Sequence, residues 1–261
     1  MCELLGMNTQ APATVSFSFQ GFAKRGGETG EHADGWGIAF YEETGCRTFL
    51  DHTPACSSAL ADWVRQYPIK SRNVLAHVRK ATQGSVGLNN CHPFVREWQG
   101  KYWSFCHNGN LKDFAPDLPC SPRPVGDTDS ELAFCHMLHR LNQAFATECS
   151  VELETLAPSL HAISTEIAQH GTFNYLLSQG DLLFAHCSTH LHYLVRQPPF
   201  SQAQLVDDDI CIDFCQHNSA QDRMVVVATH PLTRDEPWVK MAPGTLMVFD
   251  KGLPVWQHTV G

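Results

Sequence analysis

Four short stretches of this chain hold side chains able to do chemistry together, and the first is at its start. Cys2 follows the initiator methionine, and its small side chain permits that methionine to be removed. Thiol and α-amine would then share one residue. An amine of pKa ~7.7–8.0 is partly neutral at neutral pH and can take the proton of a thiol of pKa ~8.5. In a chain with 11 cysteines one falls at position 2 readily by chance, so the residue gains meaning only from company. FCHNGNL places Asn108 and Gly109 after an apolar run, in what reads as a tight turn. Asn offers side-chain N–H donors and Gly lets a backbone N–H approach a ligand, the makings of an oxyanion hole. Asn-Gly is equally the commonest short hairpin signal.

AHVRKATQGS carries Arg79 and Thr82 where a strand runs into a Gly-containing loop. A guanidinium there suits bidentate binding of a carboxylate, although a surface arginine would look the same. GDTDSEL carries Asp127 and Asp129 at a helix start. One carboxylate could cap the helix and the other face a substrate ammonium, while capping alone would account for both.

The elements that must position these residues follow from periodicity. GIAFY (37–41) and CRTFL (46–50) flank a turn and predict a hairpin, and NVLAHV (73–78) and YWSFCH (102–107) predict buried strands. Leu60, Trp63, Val64 and Tyr67 follow helical spacing. A second helix starts near Thr128, where TDSE matches a capping box with Glu131 reaching back, and carries Phe134, Leu138, Leu141 and Phe145 on one face. A third carries Leu153, Leu156, Leu160, Ile163 and Ile167. Five strand-like runs follow, at 173–178, 182–187, 191–195, 224–229 and 245–249. Strands, two helices and more strands imply two sheets with helices packed on them, in one domain.

Composition removes several function classes. The 261 residues are 43% hydrophobic and 17% charged, with mean hydropathy −0.22, the profile of an ordered globular chain. Net charge is −9 and no Lys/Arg-rich run appears, so nucleic acid and anionic membrane are poor partners. MVVVA (224–228) is the longest obvious apolar run, far short of the ~20 residues that span a bilayer. MCELLGMNTQ lacks a secretory pattern, so a cytoplasmic location with reduced thiols is expected. The cysteine spacings contain no CxxC pair, and adjacent Cys-His pairs on a strand would point to opposite faces. No metal and no cofactor are expected, although 15 His and 11 Cys make a metal-binding protein one rival reading.

MCELLG, AHVRKATQG, the CHPF containing His92, CHNGNL and GDTDSE, in that order, resemble the class II glutamine amidotransferases, whose glutaminase domain is an N-terminal-nucleophile hydrolase. FSFQGFAKRGG, HADGWGIAFYE, CRTF, YPIKS, RPVGDTDSE, FNYLLS, CSTHLHY and ATHPLT are similar to the stand-alone YafJ-like group. The resemblance implies an α+β fold, a four-layer αββα sandwich of the N-terminal-nucleophile (Ntn) hydrolase type, with a glutamine amidotransferase domain over 2–251 and a tail over 252–261. It implies Cys2 as nucleophile, Asn108 and the Gly109 N–H as oxyanion donors, Arg79 on the α-carboxylate of glutamine, Asp129 on its α-ammonium, and Thr82 supporting the loop.

The chain departs from the family pattern in places. Lys80 and Gln83 stand where many class II enzymes have Trp and His, and GETGEHA separates Arg25-Gly26 from Asp34-Gly35-Trp36-Gly37. Arg25 and Asp34 are therefore expected to support the site from behind, and His92 to be a structural histidine. The substrate implied is glutamine or another γ-glutamyl amide, as in hercynylcysteine-sulfoxide amidohydrolases, with a separate ammonia-consuming synthase as a possible partner. A non-catalytic γ-glutamyl-binding subunit is the alternative from another class.

Overall fold

The computed structural model describes residues 2–119 and 122–260; Met1, whose removal the sequence reading expects, and Gly261 of the expected tail lie outside them. The chain opens with β1 (Glu3–Thr14), α1 (Ser16–Lys24), β2 (Trp36–Glu42), β3 (Gly45–Asp51), α2 (Ala59–Gln66) and β4 (Lys70–Val78). Then come β5 (Phe94–Trp98), β6 (Lys101–Leu111), α3 (Asp129–Ala144), α4 (Leu153–Ala168), β7 (Gly171–Ser178) and β8 (Leu182–Cys187). It closes with β9 (His192–Arg196), β10 (Gln202–Gln204), β11 (Cys211–Asp213), β12 (Met224–Ala228), β13 (Val239–Lys240), β14 (Thr245–Asp250) and β15 (Leu253–Thr259). The last strand falls in the segment the sequence sets apart as a tail.

Two antiparallel sheets, β13-β9-β12-β1-β4-β2-β3 and β15-β14-β8-β7-β6-β5, stack between two helical layers. Strand alternation sorts the core into three slabs. On β1, Leu5 and Met7 join Phe19 and Phe22 of α1 and Val64 of α2, whereas Leu4 meets Leu176 and Leu183 between the sheets. On β6, Phe105 packs with Phe134 of α3 and Leu160 of α4, whereas Cys106 lies in the inter-sheet slab. Strands with apolar neighbours on both faces read in sequence as continuous apolar runs, which is why MVVVA and LLFAHC were legible.

Antiparallel register brings the chemistry to one end. Glu3 pairs with Val78, so Cys2 and Arg79, each one residue beyond, meet at the same rim of the first sheet. In the second sheet Asn108 pairs with Asn174 and Gly109 with Phe173. Asn108 and Gly109 are thus strand residues inside β6 and form no turn: β7 continues to pair as far as Leu111 with Gly171, and the expected turn is corrected. A Cβ at Gly109 would land on the Thr172 carbonyl, so the neighbouring strand, not a reversal, requires glycine there. Thr128 caps α3, its Oγ1 accepting the Glu131 N–H at 3.3 Å. The Glu131 carboxylate reaches past the cap to the N–H groups of Val125 (3.0 Å) and Gly126 (2.7 Å) and pairs with Arg96.

Candidate active site

Cys2 Sγ is hydrogen-bonded to both backbone groups of Lys80, accepting from N–H at 3.3 Å and donating to C=O at 3.4 Å. Burial pushes the Cys2 thiol above its ordinary pKa, and the Lys80 N–H bond opposes this. The thiol is therefore protonated at neutral pH and needs a base to become a nucleophile. Cys2, Arg79, Thr82, His92, Gly109 and Asp129 all line one cavity of about 20 Å³, room for about one water. Six residues chosen from sequence thus meet at one point.

The Arg79 guanidinium is buried and wrapped by its own loop, donating to the carbonyls of Ser85 (3.0 Å), Gln83 (3.0 Å) and Gly84 (3.5 Å). Among the described residues no carboxylate stands within ion-pair distance of it. Asp34 grips the base of this loop, accepting the Ala81 N–H at 2.8 Å, while its own N–H donates to Arg79 O at 3.0 Å. Asp127 holds the far side through Ser85 N–H (3.2 Å) and the Asn90 amide, so it ties two loops together and does not cap α3. Asp129 opens α3 and accepts the Leu111 N–H at 2.7 Å, joining the helix start to the end of β6.

Asn108 is fully buried and does not line the cavity. By strand alternation it shares the inter-sheet face with Cys106, and one end of its amide lies 3.3 Å from Thr229 Oγ1. Arg25 is also outside the cavity. It pairs with Glu3 (3.1 Å) and Asp207 (2.7 Å) and donates to the carbonyls of His230 (3.1 Å) and Pro231 (2.6 Å).

Three histidines back the site. The His77 and His92 rings stack at 4.1 Å, and His92 Nδ1 accepts the His107 N–H at 3.2 Å. His107 Nε2 donates to Thr172 O at 3.1 Å, which leaves Nδ1 to accept the Ser130 hydroxyl at 2.8 Å. Burial drives His77 down to about 3 and His92 well below the ordinary imidazole value. Neutral rings of such low basicity are poor general bases near pH 7. His107, in CHNGNL, also lines the cavity, although nothing in the sequence sets it apart from the neighbouring Asn108 and Gly109. Thr229, in ATHPLT, carries no local signal of its contact with Asn108. Only Cys106-His107 among the adjacent Cys-His pairs lies on a strand, since Cys135 and His136 are helical and Cys91 and His92 lie between elements. Among the described residues no group of three or more His, Cys, Asp or Glu could hold a metal.

The sequence pattern of "Glutamine amidotransferases class-II" matches residues 1–260. A Haemophilus influenzae protein, "Putative glutamine amidotransferase", is 47% identical over 252 residues, covering 97% of this chain and 85% of the relative. "Putative glutamine amidotransferase YafJ" of Escherichia coli is 46% identical over 252 residues, covering 97% and 98%. The 2.0 Å crystal structure of "predicted glutamine amidotransferase from Pseudomonas aeruginosa PA01" superposes with TM-score 0.77 at 41% identity, covering 98% of this chain and 100% of that one. At 14% identity, the glutamine phosphoribosylpyrophosphate amidotransferase of B. subtilis shares the fold, with TM-score 0.61 over 99% of this chain and 49% of that one. The chain belongs to the class-II glutamine amidotransferases, an enzyme family, and has their four-layer Ntn-hydrolase fold.

Proposed function

We propose that residues 2–251 form a glutaminase domain in which mature Cys2 hydrolyses the side-chain amide of glutamine to glutamate and ammonia. The observation that carries this reading is the convergence of Cys2, Arg79, Thr82, Gly109 and Asp129 on one cavity. The Cys2 α-amine, freed by loss of Met1, takes the thiol proton as sulfur bonds to the amide carbon. The oxyanion of the tetrahedral intermediate takes N–H bonds from Gly109 and Asn108, and each such donor contributes ~3 kcal/mol. As the C–N bond breaks, the ammonium of Cys2 returns its proton to departing ammonia. Water then attacks the γ-glutamyl thioester, its proton passing through the same amine, and glutamate leaves.

Arg79 holds the α-carboxylate and Asp129 the α-ammonium, which fixes the direction of the amino acid in the site. A cavity of about 20 Å³ is too small for glutamine, so substrate entry requires this site to open. The ammonia is released or passed to a separate synthase.

A second reading, a larger γ-glutamyl amide as substrate, is favoured by one observation. An outer cavity of about 570 Å³ adjoins the inner one, and Gln83, Thr128 and Asp129 line both. Its volume falls in the range that holds drug-sized ligands.

The deciding assay measures ammonia and glutamate released from L-glutamine, beside a panel of γ-glutamyl amides, by protein whose intact mass shows Cys2 first. Release abolished in Cys2→Ala is the expected result. Cys2-dependent turnover of another amide but not of glutamine would select the second reading, and release that survives Cys2→Ala would overturn both.

A further inference from the structure

Thr229 stands just past β12, where its N–H donates to Leu4 O at 3.2 Å and its Oγ1 accepts the Leu4 N–H at 3.0 Å. The same oxygen lies 3.3 Å from the Asn108 side-chain amide. With Nδ2 facing Thr229, Asn108 Oδ1 is buried without a partner among the described residues. In that arrangement Oγ1 receives two N–H donors, and the Thr229 hydroxyl proton has no acceptor. A buried polar group left without a partner is destabilising.

Turning the amide end over end gives both Oδ1 and the hydroxyl proton a partner and leaves a single unpaired group. The Thr229 hydroxyl then donates to Asn108 Oδ1 while still accepting from Leu4, and the unpartnered group becomes Nδ2. Partners, not shape, define which end of an amide is nitrogen. Asn174 does not compete for this role, because its Nδ2 donates to the Asn108 backbone oxygen at 3.1 Å and leaves the side chain free to turn. A buried, unpaired N–H donor one residue from Gly109 is what an incoming oxyanion requires.

We propose that Thr229 is a positioning residue whose hydroxyl donates to Asn108 Oδ1 and thereby aims Nδ2–H at the carbonyl oxygen under attack. The inference rests on the proposed nucleophilic role of Cys2 and on Asn108 as oxyanion donor. Because Leu4 is two residues from Cys2, the same hydroxyl ties the nucleophile's strand in the first sheet to the oxyanion donor in the second.

The test compares Thr229→Val, which keeps the shape and loses the hydroxyl, with Thr229→Ser, which keeps the hydroxyl. For each we would measure kcat and KM on the best amide substrate, inhibition by L-glutamate, Tm, and the rate of Cys2 alkylation by iodoacetamide. Thr229→Val should lower kcat about 30-fold, with KM, glutamate inhibition and alkylation within about threefold of wild type, and Thr229→Ser should stay within about threefold throughout. An unchanged kcat in Thr229→Val overturns the proposal. So does an equal loss in both variants that tracks a fall in Tm. Wild-type protein with no Cys2-dependent turnover would sink the proposed function and this inference together, whereas an active wild type with an unaffected valine variant sinks this inference alone.

Discussion

Arg25 and Arg79 are both buried arginines near the nucleophile's end of the first sheet, yet their surroundings are opposite. Arg25 meets two carboxylates, Glu3 and Asp207, and two backbone carbonyls. Arg79 meets three carbonyls and, among the described residues, no carboxylate. The third buried arginine, Arg196, follows Arg25, with Glu236 bound at 2.7 Å through both Nε and Nη2. A buried cation without a counter-ion is costly, which is what the proposed binding of a substrate carboxylate at Arg79 would relieve. Pairing therefore separates Arg25 and Arg196, which are ion-paired within the fold, from Arg79, which is left for the proposed ligand.

The comparison can be broken most directly at Arg25. Arg25→Met removes one partner of a buried ion cluster and leaves Glu3 and Asp207 uncompensated, which should cost about 3–5 kcal/mol of stability. Denaturant unfolding checks this, and a loss below about 1 kcal/mol would mean that Arg25 is not the structural charge described. Arg79→Met should do the reverse. It removes a cation with no carboxylate partner, so stability should change by less than in Arg25→Met, while affinity for L-glutamate by calorimetry should fall about 100-fold, about 2.8 kcal/mol at about tenfold per 1.4.

The smallest effect concerns His230, which bonds Glu3 at 2.7 Å. The hydrogen bond to Glu3 raises the His230 pKa in the fold. A raised folded pKa gives stability that is fully present below the unfolded value of about 6.5 and lost as pH rises through the folded value. His230 is more than half exposed, so its share is below about 1 kcal/mol. Thermal unfolding followed upward from pH 6 should therefore show a slightly steeper decline in wild type than in His230→Gln, and parallel curves would remove His230 from the Arg25 cluster.

Much of this was legible in sequence, and the reason differs from residue to residue. β4, β7, β8, β12 and β14 were readable because their apolar runs are buried on both faces, and α3 because Thr128 is a capping residue followed by a helical stripe. β1 gives no clear strand signal, because its apolar alternation ends in polar residues and a register shift between Asn8 and Ala13. Asn108-Gly109 reads as a turn in sequence and is strand in the structure, because a hairpin and a strand that needs glycine under a neighbouring carbonyl can carry the same dipeptide. His92, expected to be structural, stacks on His77 and also lines the cavity.

Residue types and their local periodicity by themselves determined α2, α3, α4 and most strands, but not α1, while the ordered motifs carried the resemblance to the family and marked the groups that could react. What only the tertiary structure decided was which of those groups meet. Cys2 meets the loop of Arg79 across 78 residues, Thr229 meets Asn108 across 121 and Leu4 across 225. Such encounters follow from the register of strands distant in sequence and from the stacking of two sheets. Neither leaves a trace in local periodicity, because a strand's pattern records which of its faces is buried and not which residue lies against it.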